Sequence, residues 1–361
     1  MDAAPITVKY ELRYSKTATI MVGEGSLERF LVEVAPLHDR VALVVDERVR
    51  EGLGGIIDKA KWHGVYALKG GESSKSVGKA LALWSHLYKD GLGRGSLLVA
   101  IGGGSLLDLA GFVASTFMRG VRLALIPTTT LSMADAAVGG KNGVNLGSKN
   151  IIGTFYHPDY VVVDPVFLKT MPSDVYLEGF AEVVKHAVIE GEGFLSLIEK
   201  NVNGILSRDP EVVMALIERS LRVKMDIVSQ DFLESGLRRV LNLGHTLGHA
   251  IEAASAYSIS HGRSVSMGLS GELRLSARLA GLDPSSADRV ERLLSSIGLP
   301  TTVPCGFGVN DLMAHIARDK KREGDSVVMP LVERIGLIRL SRVSLGVIEE
   351  WLWGYLKKCA Q

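Results

Sequence analysis

The chain has 361 residues, 47% of them hydrophobic, with 41 basic side chains against 40 acidic ones. That length exceeds what one hydrophobic core usually serves, so two domains are expected. A net charge of +1 removes any global electrostatic case for nucleic acid or an anionic membrane surface. No uncharged apolar run reaches the roughly 18 residues that a spanning helix needs. Met1-Asp2-Ala3-Ala4-Pro5 lacks the basic start and apolar stretch of a signal peptide, so a soluble, cytoplasmic protein is expected. The two cysteines, Cys305 and Cys359, have neither metal-type nor redox spacing, which fits a reducing compartment.

Ile6, Val8, Tyr10 and Leu12 alternate with polar residues, the pattern of a half-exposed strand. Val41-Ala42-Leu43-Val44-Val45 is apolar throughout, as buried parallel strands are, and ends at Asp46. An acid there can take the ribose hydroxyls of a dinucleotide and favour NAD over NADP, although such residues also cap helices and Arg48 brings the opposite charge. Ser96-Leu97-Leu98-Val99-Ala100-Ile101 runs into Gly102-Gly103-Gly104-Ser105 and a helical segment through Ala114. Strand, glycine turn and helix bring backbone N–H groups and a helix amino terminus up to a phosphate; the glycines are contiguous, not spaced as G-x-G-x-x-G, and a plain tight turn is the alternative. The strand Leu123-Ala124-Leu125-Ile126 stops at Pro127-Thr128-Thr129-Thr130. Both loops should lie at one edge of one sheet, where open α/β proteins bind ligands.

The stretch from Asp135 through Gly139-Gly140-Lys141-Asn142 to Lys149-Asn150 reads as a polar loop whose lysines and amides, set among glycines, can surround a phosphate or carboxylate. Val161-Val162-Val163 reads as the last strand of the first domain, and Phe167 to Pro172 as the crossing point. From Ser173 onward, apolar spacings of three and four, as in Val213, Leu216, Ile217 and Leu221, predict helices. The expected architecture is an α/β N-terminal domain with a Rossmann-like parallel sheet over residues 1–172 and a mainly α-helical C-terminal domain over residues 173–361.

In Asn242-Leu243-Gly244-His245-Thr246-Leu247-Gly248-His249-Ala250-Ile251-Glu252 two histidines four apart share one helix face, about 6 Å apart along the axis. His261 follows twelve residues after His249. Clustered imidazoles are the usual raw material of a zinc site, though polar residues lining a helical core would look the same. In Phe180-Ala181-Glu182-Val183-Val184-Lys185-His186, Glu182 is the obvious anionic companion, since two imidazoles, a carboxylate and an open position make a catalytic zinc arrangement; a surface ion pair with Lys185 is the other reading. Lys224, Arg238, Asn242 and His249 would complete a basic pocket for an acidic substrate. Asp319-Lys320-Lys321-Arg322 is either a further anion contact or a solvated charge run.

Taken together, Gly139-Gly140-Lys141, Lys149-Asn150, Ala181-Glu182-Val183-Val184-Lys185 and Asn242-Leu243-Gly244-His245-Thr246 resemble the 3-dehydroquinate synthase family of sugar phosphate cyclases, over nearly the whole stretch from Asp46 to Lys321. The resemblance implies the dehydroquinate synthase-like fold, catalytic NAD and a divalent metal, zinc or cobalt. It implies Glu182, His245 and His261 as metal ligands, which moves His249 to a substrate-side proton-transfer role. Asp46, Glu72, Lys75, Gly103, Gly104, Ser105, Asp108, Thr128, Thr129, Asp135, Lys141, Lys149, Phe167, Leu168 and Thr170 match positions that hold or border NAD. Asp135, Lys141, Asn150, Lys185, Lys224, Arg238, Asn242, His249 and one of Lys320 or Lys321 match the substrate pocket, and Arg119 matches an arginine that reaches a neighbouring subunit, so a homodimer is implied. The implied reaction turns a seven-carbon keto acid phosphate, 3-deoxy-D-arabino-heptulosonate 7-phosphate, into 3-dehydroquinate and phosphate, through transient oxidation at C5, phosphate elimination, re-reduction, ring opening and aldol closure. A sister cyclase acting on a sugar phosphate without a carboxylate, an NAD-dependent polyol or glycerol phosphate dehydrogenase, and a non-catalytic NAD-binding regulator are the rival readings. Two positions depart from the family pattern: Arg263 follows His261-Gly262 where glutamate is common, and Arg48 stands where a small polar residue is usual.

Overall fold

A computed structural model describes residues 15–318 and 322–359; the alternating segment Ile6 to Leu12 and the pair Lys320 and Lys321 lie outside the described residues. The first half contains strands β1 (Thr19–Val22), β2 (Val41–Asp46), β3 (Gly64–Leu68), β4 (Leu97–Gly102), β5 (Arg122–Pro127), β6 (Lys141–Leu146), β7 (Ser148–Phe155) and β8 (Tyr160–Val163), with helices α1 (Ser26–Arg29), α2 (Glu47–Ile57), α3 (Val77–Lys89) and α4 (Gly104–Thr116). Six strands form one sheet in the order β1-β8-β5-β4-β2-β3, every pairing parallel. Strands β2 and β4 are buried almost end to end, which is why they read as unbroken apolar runs. The register sets Val45 beside Ile101 and Gly102 beside Pro127. The carboxyl ends of β2, β4 and β5, with Asp46, the glycine turn and Thr128-Thr129, therefore lie side by side at the edge where this sheet class takes its ligands.

Val161 to Val163 forms the last strand of the first half in chain order, as read, and β1 pairs outside it in the sheet. One detail differs from the sequence reading. The polar stretch expected as a loop folds into a single helical turn (Ser132–Ala136) and an antiparallel hairpin of β6 and β7. Polar and glycine-rich composition at 139–150 hid this hairpin, whose exposed residues mix Lys141 and Asn150 with Leu146, Ile151 and Phe155. Gly139 and Gly140, which lead into it, sit at φ 106° and 65°. A β-carbon on Gly139 would come within 2.6 Å of Arg238 Nη2, and one on Gly140 within 2.5 Å of His157 Cδ2, so both backbone angle and space demand glycine there.

The second half is mainly helical: α5 (Ser173–Glu178), α6 (Phe180–Glu190), α7 (Glu192–Lys200), α8 (Val202–Leu206), α9 (Pro210–Gln230), α10 (His245–Ala254), α11 (His261–Leu279), α12 (Pro284–Ile297), α13 (Val309–Ile316) and α14 (Leu345–Cys359). A small antiparallel sheet of β9 (Arg322–Glu323), β10 (Ser326–Arg334) and β11 (Leu337–Ser344) interrupts them. No helix among the described residues is long and apolar enough to cross a membrane. Helix α6 is buried on all sides from Phe180 to Val188, the mark of a central helix. Asp209 caps α9 by accepting from Glu211 and Val212 N–H; its inward stripe of Val213, Ile217, Leu221 and Val228 also carries Lys224.

Helices α10 and α11 meet backbone to backbone. Gly244, the residue before α10, has φ 78° and no side chain with which to cap. Glu272 of α11 caps instead, accepting from Gly244 N–H (2.7 Å), Thr246 N–H (2.8 Å) and Leu247 N–H (3.0 Å). A β-carbon on Gly268 would meet Gly248 N at 2.6 Å. This close approach sets His245, the first residue of α10, beside His261, the first residue of α11. The substitution Gly268→Ala is expected to destabilise the protein by about 1–3 kcal/mol through overpacking, seen as a lower denaturant midpoint; an unchanged midpoint would contradict the close packing.

Candidate active site

Three groups from different elements converge. Glu182 Oε1, from α6, lies 3.3 Å from His245 Nε2 and 3.5 Å from His261 Nε2. Four ligands about 2.0–2.1 Å from one ion at tetrahedral angles stand about 3.3–3.4 Å apart, so the spacing fits a single divalent cation. Glu182 is fully buried and its two oxygens accept no hydrogen bond of ordinary geometry, which leaves them available to a cation. Lys185 Nζ is 2.5 Å from Glu182 Oε2. His245 Nδ1 meets Leu243 O at 3.1 Å, which leaves Nε2 for the ion. Burial raises the Glu182 carboxyl, but Lys185 and His245 outweigh it and hold it well below the usual carboxylate range. Burial pushes His245 down, toward the neutral form a ligand needs.

Beside this cradle stand the buried cations Lys185, Lys224 and Arg238. Asp135, on the helical turn after β5, has Lys224 Nζ at 2.9 Å, His186 Nε2 at 3.4 Å and Lys185 Nζ at 4.0 Å. Burial would raise Asp135, but Lys224 and Lys185 hold it well down. Burial lowers Lys224 despite Asp135, whereas Glu182 and Asp135 overcome burial and raise Lys185. Arg238 is buried and donates to Gly139 O (2.7 Å) and Phe232 O (2.8 Å). Lys141 is ion-paired to Glu234, whose other oxygen accepts from Asn242 Nδ2 at 2.7 Å. His249 is exposed on α10, its ring 5.2 Å from that of His245 and 5.8 Å from that of His261. Asn150 sits at φ 55°, its N–H donating to Asn145 Oδ1 at 2.9 Å.

At the sheet edge the remaining residues hold one another. Asp46, at the carboxyl end of β2, caps α2 by accepting from Arg48 N–H at 3.0 Å. Glu72 accepts from Ser105 Oγ (2.7 Å) and Asn145 Nδ2 (2.8 Å), and Lys75 is ion-paired to Asp108. Thr128 N–H donates to Gly102 O at 3.0 Å, and Thr129 Oγ1 lies 2.7 Å from Ser132 Oγ. Gly103 precedes α4 and Gly104 opens it. Phe167 and Leu168 are buried, and Thr170 Oγ1 donates to Phe167 O at 3.4 Å. Lys149 Nζ bonds Glu252 at 2.6 Å, on the metal side of the pocket. Arg119 is exposed, and among the described residues it has no ion-pair partner; it follows Met118, both at positive φ. Arg263 is exposed, and Gly262 beside it packs on Glu178, whose Cβ lies 2.7 Å from where a β-carbon would be.

Three acids escaped the sequence reading: Glu234, Glu252 and Glu272. Glu252 had a detectable signal, because it lies seven residues after His245 and so on the same helix face. Glu234 and Glu272 had none, since their partners are brought to them only by the fold.

Comparison with known proteins places this geometry among relatives. The family model described as 3-dehydroquinate synthase N-terminal matches residues 65–178, and that described as 3-dehydroquinate synthase C-terminal matches residues 179–322. The 3-dehydroquinate synthase of Aeropyrum pernix is 46% identical over 320 residues, which cover 87% of this chain and 85% of that protein. That of Pyrobaculum neutrophilum is 38% identical over 346 residues, covering 95% and 96%. Among solved structures, 2-epi-5-epi-valiolone synthase from Streptomyces hygroscopicus with NAD+ and Zn2+ bound superposes with a TM-score of 0.88 at 23% identity, covering 97% of this chain and 100% of that one. A 2-deoxy-scyllo-inosose synthase complexed with carbaglucose-6-phosphate, NAD+ and Co2+ gives 0.84 at 25% identity, covering 93% and 96%.

His261 differs from His245. Burial lowers it, but Glu182 Oε1 at 3.5 Å and Glu252 Oε2 at 3.2 Å, with the charge of both carboxylates, win and push it up to about 10. In the metal-free protein at about pH 8 it therefore carries a proton that an entering ion must displace. Metal loading at that pH is expected to release about one proton, falling away above pH 10; calorimetry in buffers of different ionisation enthalpy measures it, and no release at pH 8 would contradict the assignment.

Proposed function

The chain belongs to the 3-dehydroquinate synthase family, and from that premise we propose which of its residues carry the family's reaction. The reaction converts 3-deoxy-D-arabino-heptulosonate 7-phosphate to 3-dehydroquinate and phosphate, and the chain is a cyclase that uses NAD and a divalent metal ion. In this reading it is a phosphate-eliminating carbon–oxygen lyase, working as a cytoplasmic homodimer. Residues 1–172 hold NAD, and residues 173–361 hold the metal and most of the substrate. The observation that carries the assignment of roles is the convergence of Glu182, His245 and His261 beside the cluster of Lys185, Lys224 and Arg238.

When bound, NAD supplies a reversible hydride acceptor and the divalent ion, zinc or cobalt, a Lewis acid. The protein's own groups do the rest by orientation and charge. Glu182, His245 and His261 would hold the ion, and Lys185 balances the charge of Glu182. The glycine turn, Thr128, Thr129, Asp46 and the Glu72, Lys75 and Asp108 cluster would hold NAD. Lys224, Arg238 and Asn242 fix the substrate's carboxylate and hydroxyls. Lys141, Asn150, Lys185, one of Lys320 or Lys321, and Arg119 supplied by a second copy of the chain gather the phosphate. His249, exposed beside the ligand pair, is placed to move a proton at the substrate. The chemistry that NAD would supply is a transient oxidation of the C5 alcohol, which would make the neighbouring C–H acidic enough for phosphate to leave with no net oxidation overall.

Incubation with the heptulosonate phosphate, NAD+ and metal should release stoichiometric phosphate without accumulating NADH. Net NADH without phosphate would instead select a dehydrogenase. Lys224→Met is expected to lower kcat/KM by about 10- to 150-fold, the worth of one charged hydrogen bond. An unchanged kcat/KM in a folded variant would remove Lys224 from substrate recognition and reopen the case for a sister cyclase whose substrate has no carboxylate.

A further inference from the structure

Glu252 lies outside the ligand set described above, yet both its oxygens are engaged and it is almost completely buried. Oε2 lies 3.2 Å from His261 Nδ1, and Oε1 accepts from Lys149 Nζ at 2.6 Å. Lys149 comes from β7, the hairpin strand of the first half of the chain. Its ammonium also lies 4.4 Å from the centre of the Tyr257 ring, a cation–π contact. The short connection from α10 to α11 is shaped to present that ring: Ala256 and Tyr257 are both held at positive φ, 49° and 64°, a conformation that side chains with a β-carbon rarely adopt. The same connection folds back on Glu252, whose carbonyl accepts from Tyr257 N–H (2.9 Å) and Ser255 Oγ (2.8 Å).

We infer that Glu252, clamped by Lys149, is a positioning residue for His261. An imidazole has two nitrogens and one face to offer an ion. By accepting from Nδ1–H, Glu252 leaves the lone pair on Nε2, the atom that lies 3.5 Å from Glu182, and fixes the plane of the ring. A carboxylate behind a ligating histidine does this in metal sites generally, and also raises the ligand's basicity. Lys149 has a second effect. His249, Glu252 and His261 stand close enough to hold a cation by themselves. By occupying Glu252 Oε1, the ammonium keeps this carboxylate out of a competing ligand set and favours the one ion at Glu182. The hairpin that lines the pocket thus holds the far side of the metal cradle, and a lysine of the first half governs a histidine of the second.

The inference rests on Glu182, His245 and His261 being the ligands, and the test separates the two. Zinc dissociation constants are measured by competition with a chromophoric chelator for the wild type, Glu252→Gln, Glu252→Asp, Lys149→Met, the Glu252→Gln/Lys149→Met double variant and Glu182→Gln, together with visible spectra of the cobalt-loaded proteins. Glu252→Gln should weaken zinc binding by roughly 10- to 100-fold and shift the cobalt bands, and Glu252→Asp should recover part of the loss. Lys149→Met should weaken binding by less, and should add nothing in the Glu252→Gln background. If Glu252→Gln fails to fold, Glu252→Asp and the half-exposed Lys149→Met still decide the question. Zinc affinity within twofold of wild type and unshifted cobalt bands in the Glu252 variants would overturn the inference, as would an equal effect of Lys149→Met in both backgrounds. Wild-type affinity in Glu182→Gln would overturn the ligand assignment itself.

Discussion

A carboxylate with no access to water stays ionised only if positive charge or strong donors surround it. Glu182 is in that position, on a helix buried on every side, and its oxygens lack ordinary hydrogen bonds. Lys185, one turn along, neutralises it from its own helix. His245 and His261 approach from the other side, and their approach requires the whole packing of α10 on α11. The glycines at 244, 248 and 268 and the cap by Glu272 are the means by which two helix starts come close enough for their first side chains to share one ion.

The same logic extends outward as alternating charge. Asp135 answers Lys185 and Lys224, Glu234 answers Lys141, and Glu252 answers His261 and Lys149. Each acid sits between a group of the ligand cradle or its cationic neighbours and a group on another segment, whereas buried Arg238 is held by the backbone carbonyls of Gly139 and Phe232. A site that must take an anionic keto acid phosphate needs surplus positive charge at hand, and buried lysines and arginines are tolerable only while acids or carbonyl oxygens hold them. The opposite shifts of Lys185, raised, and Lys224, lowered, follow from how many acids each one faces.

These contacts also tie the two halves of the chain. Asp135 and the β6–β7 hairpin belong to the first half by sequence, yet their partners lie on α6, α9 and α10. The turn at Asp135 and the hairpin are thereby held against the helices that carry Glu182, Lys224 and Glu252.

Much was readable from residue order alone. Unbroken apolar runs ending in Asp46, the glycine triplet and Thr128-Thr129 located the ligand edge of a parallel sheet, because strand burial and turn chemistry are local. The four-residue spacing of His245 and His249, and the helical stripe of α9, were likewise local, and the motif set pointed to the family. Helical spacing alone, however, suggested His245 and His249 as the pair, whereas it is His261, across a connection with two left-handed residues, whose ring nitrogen reaches Glu182. The hairpin at 141–155 was hidden by its glycines and mixed polar and apolar order, and the roles of Glu234 and Glu272 were invisible, since a carboxylate's partner 8 or 28 residues away is set by packing and not by spacing. What the sequence by itself determined was the supply of ligands, lysines and glycines and the elements that carry them; which acid faces which cation was decided only when those elements closed on one another, because charge pairing depends on distance in space.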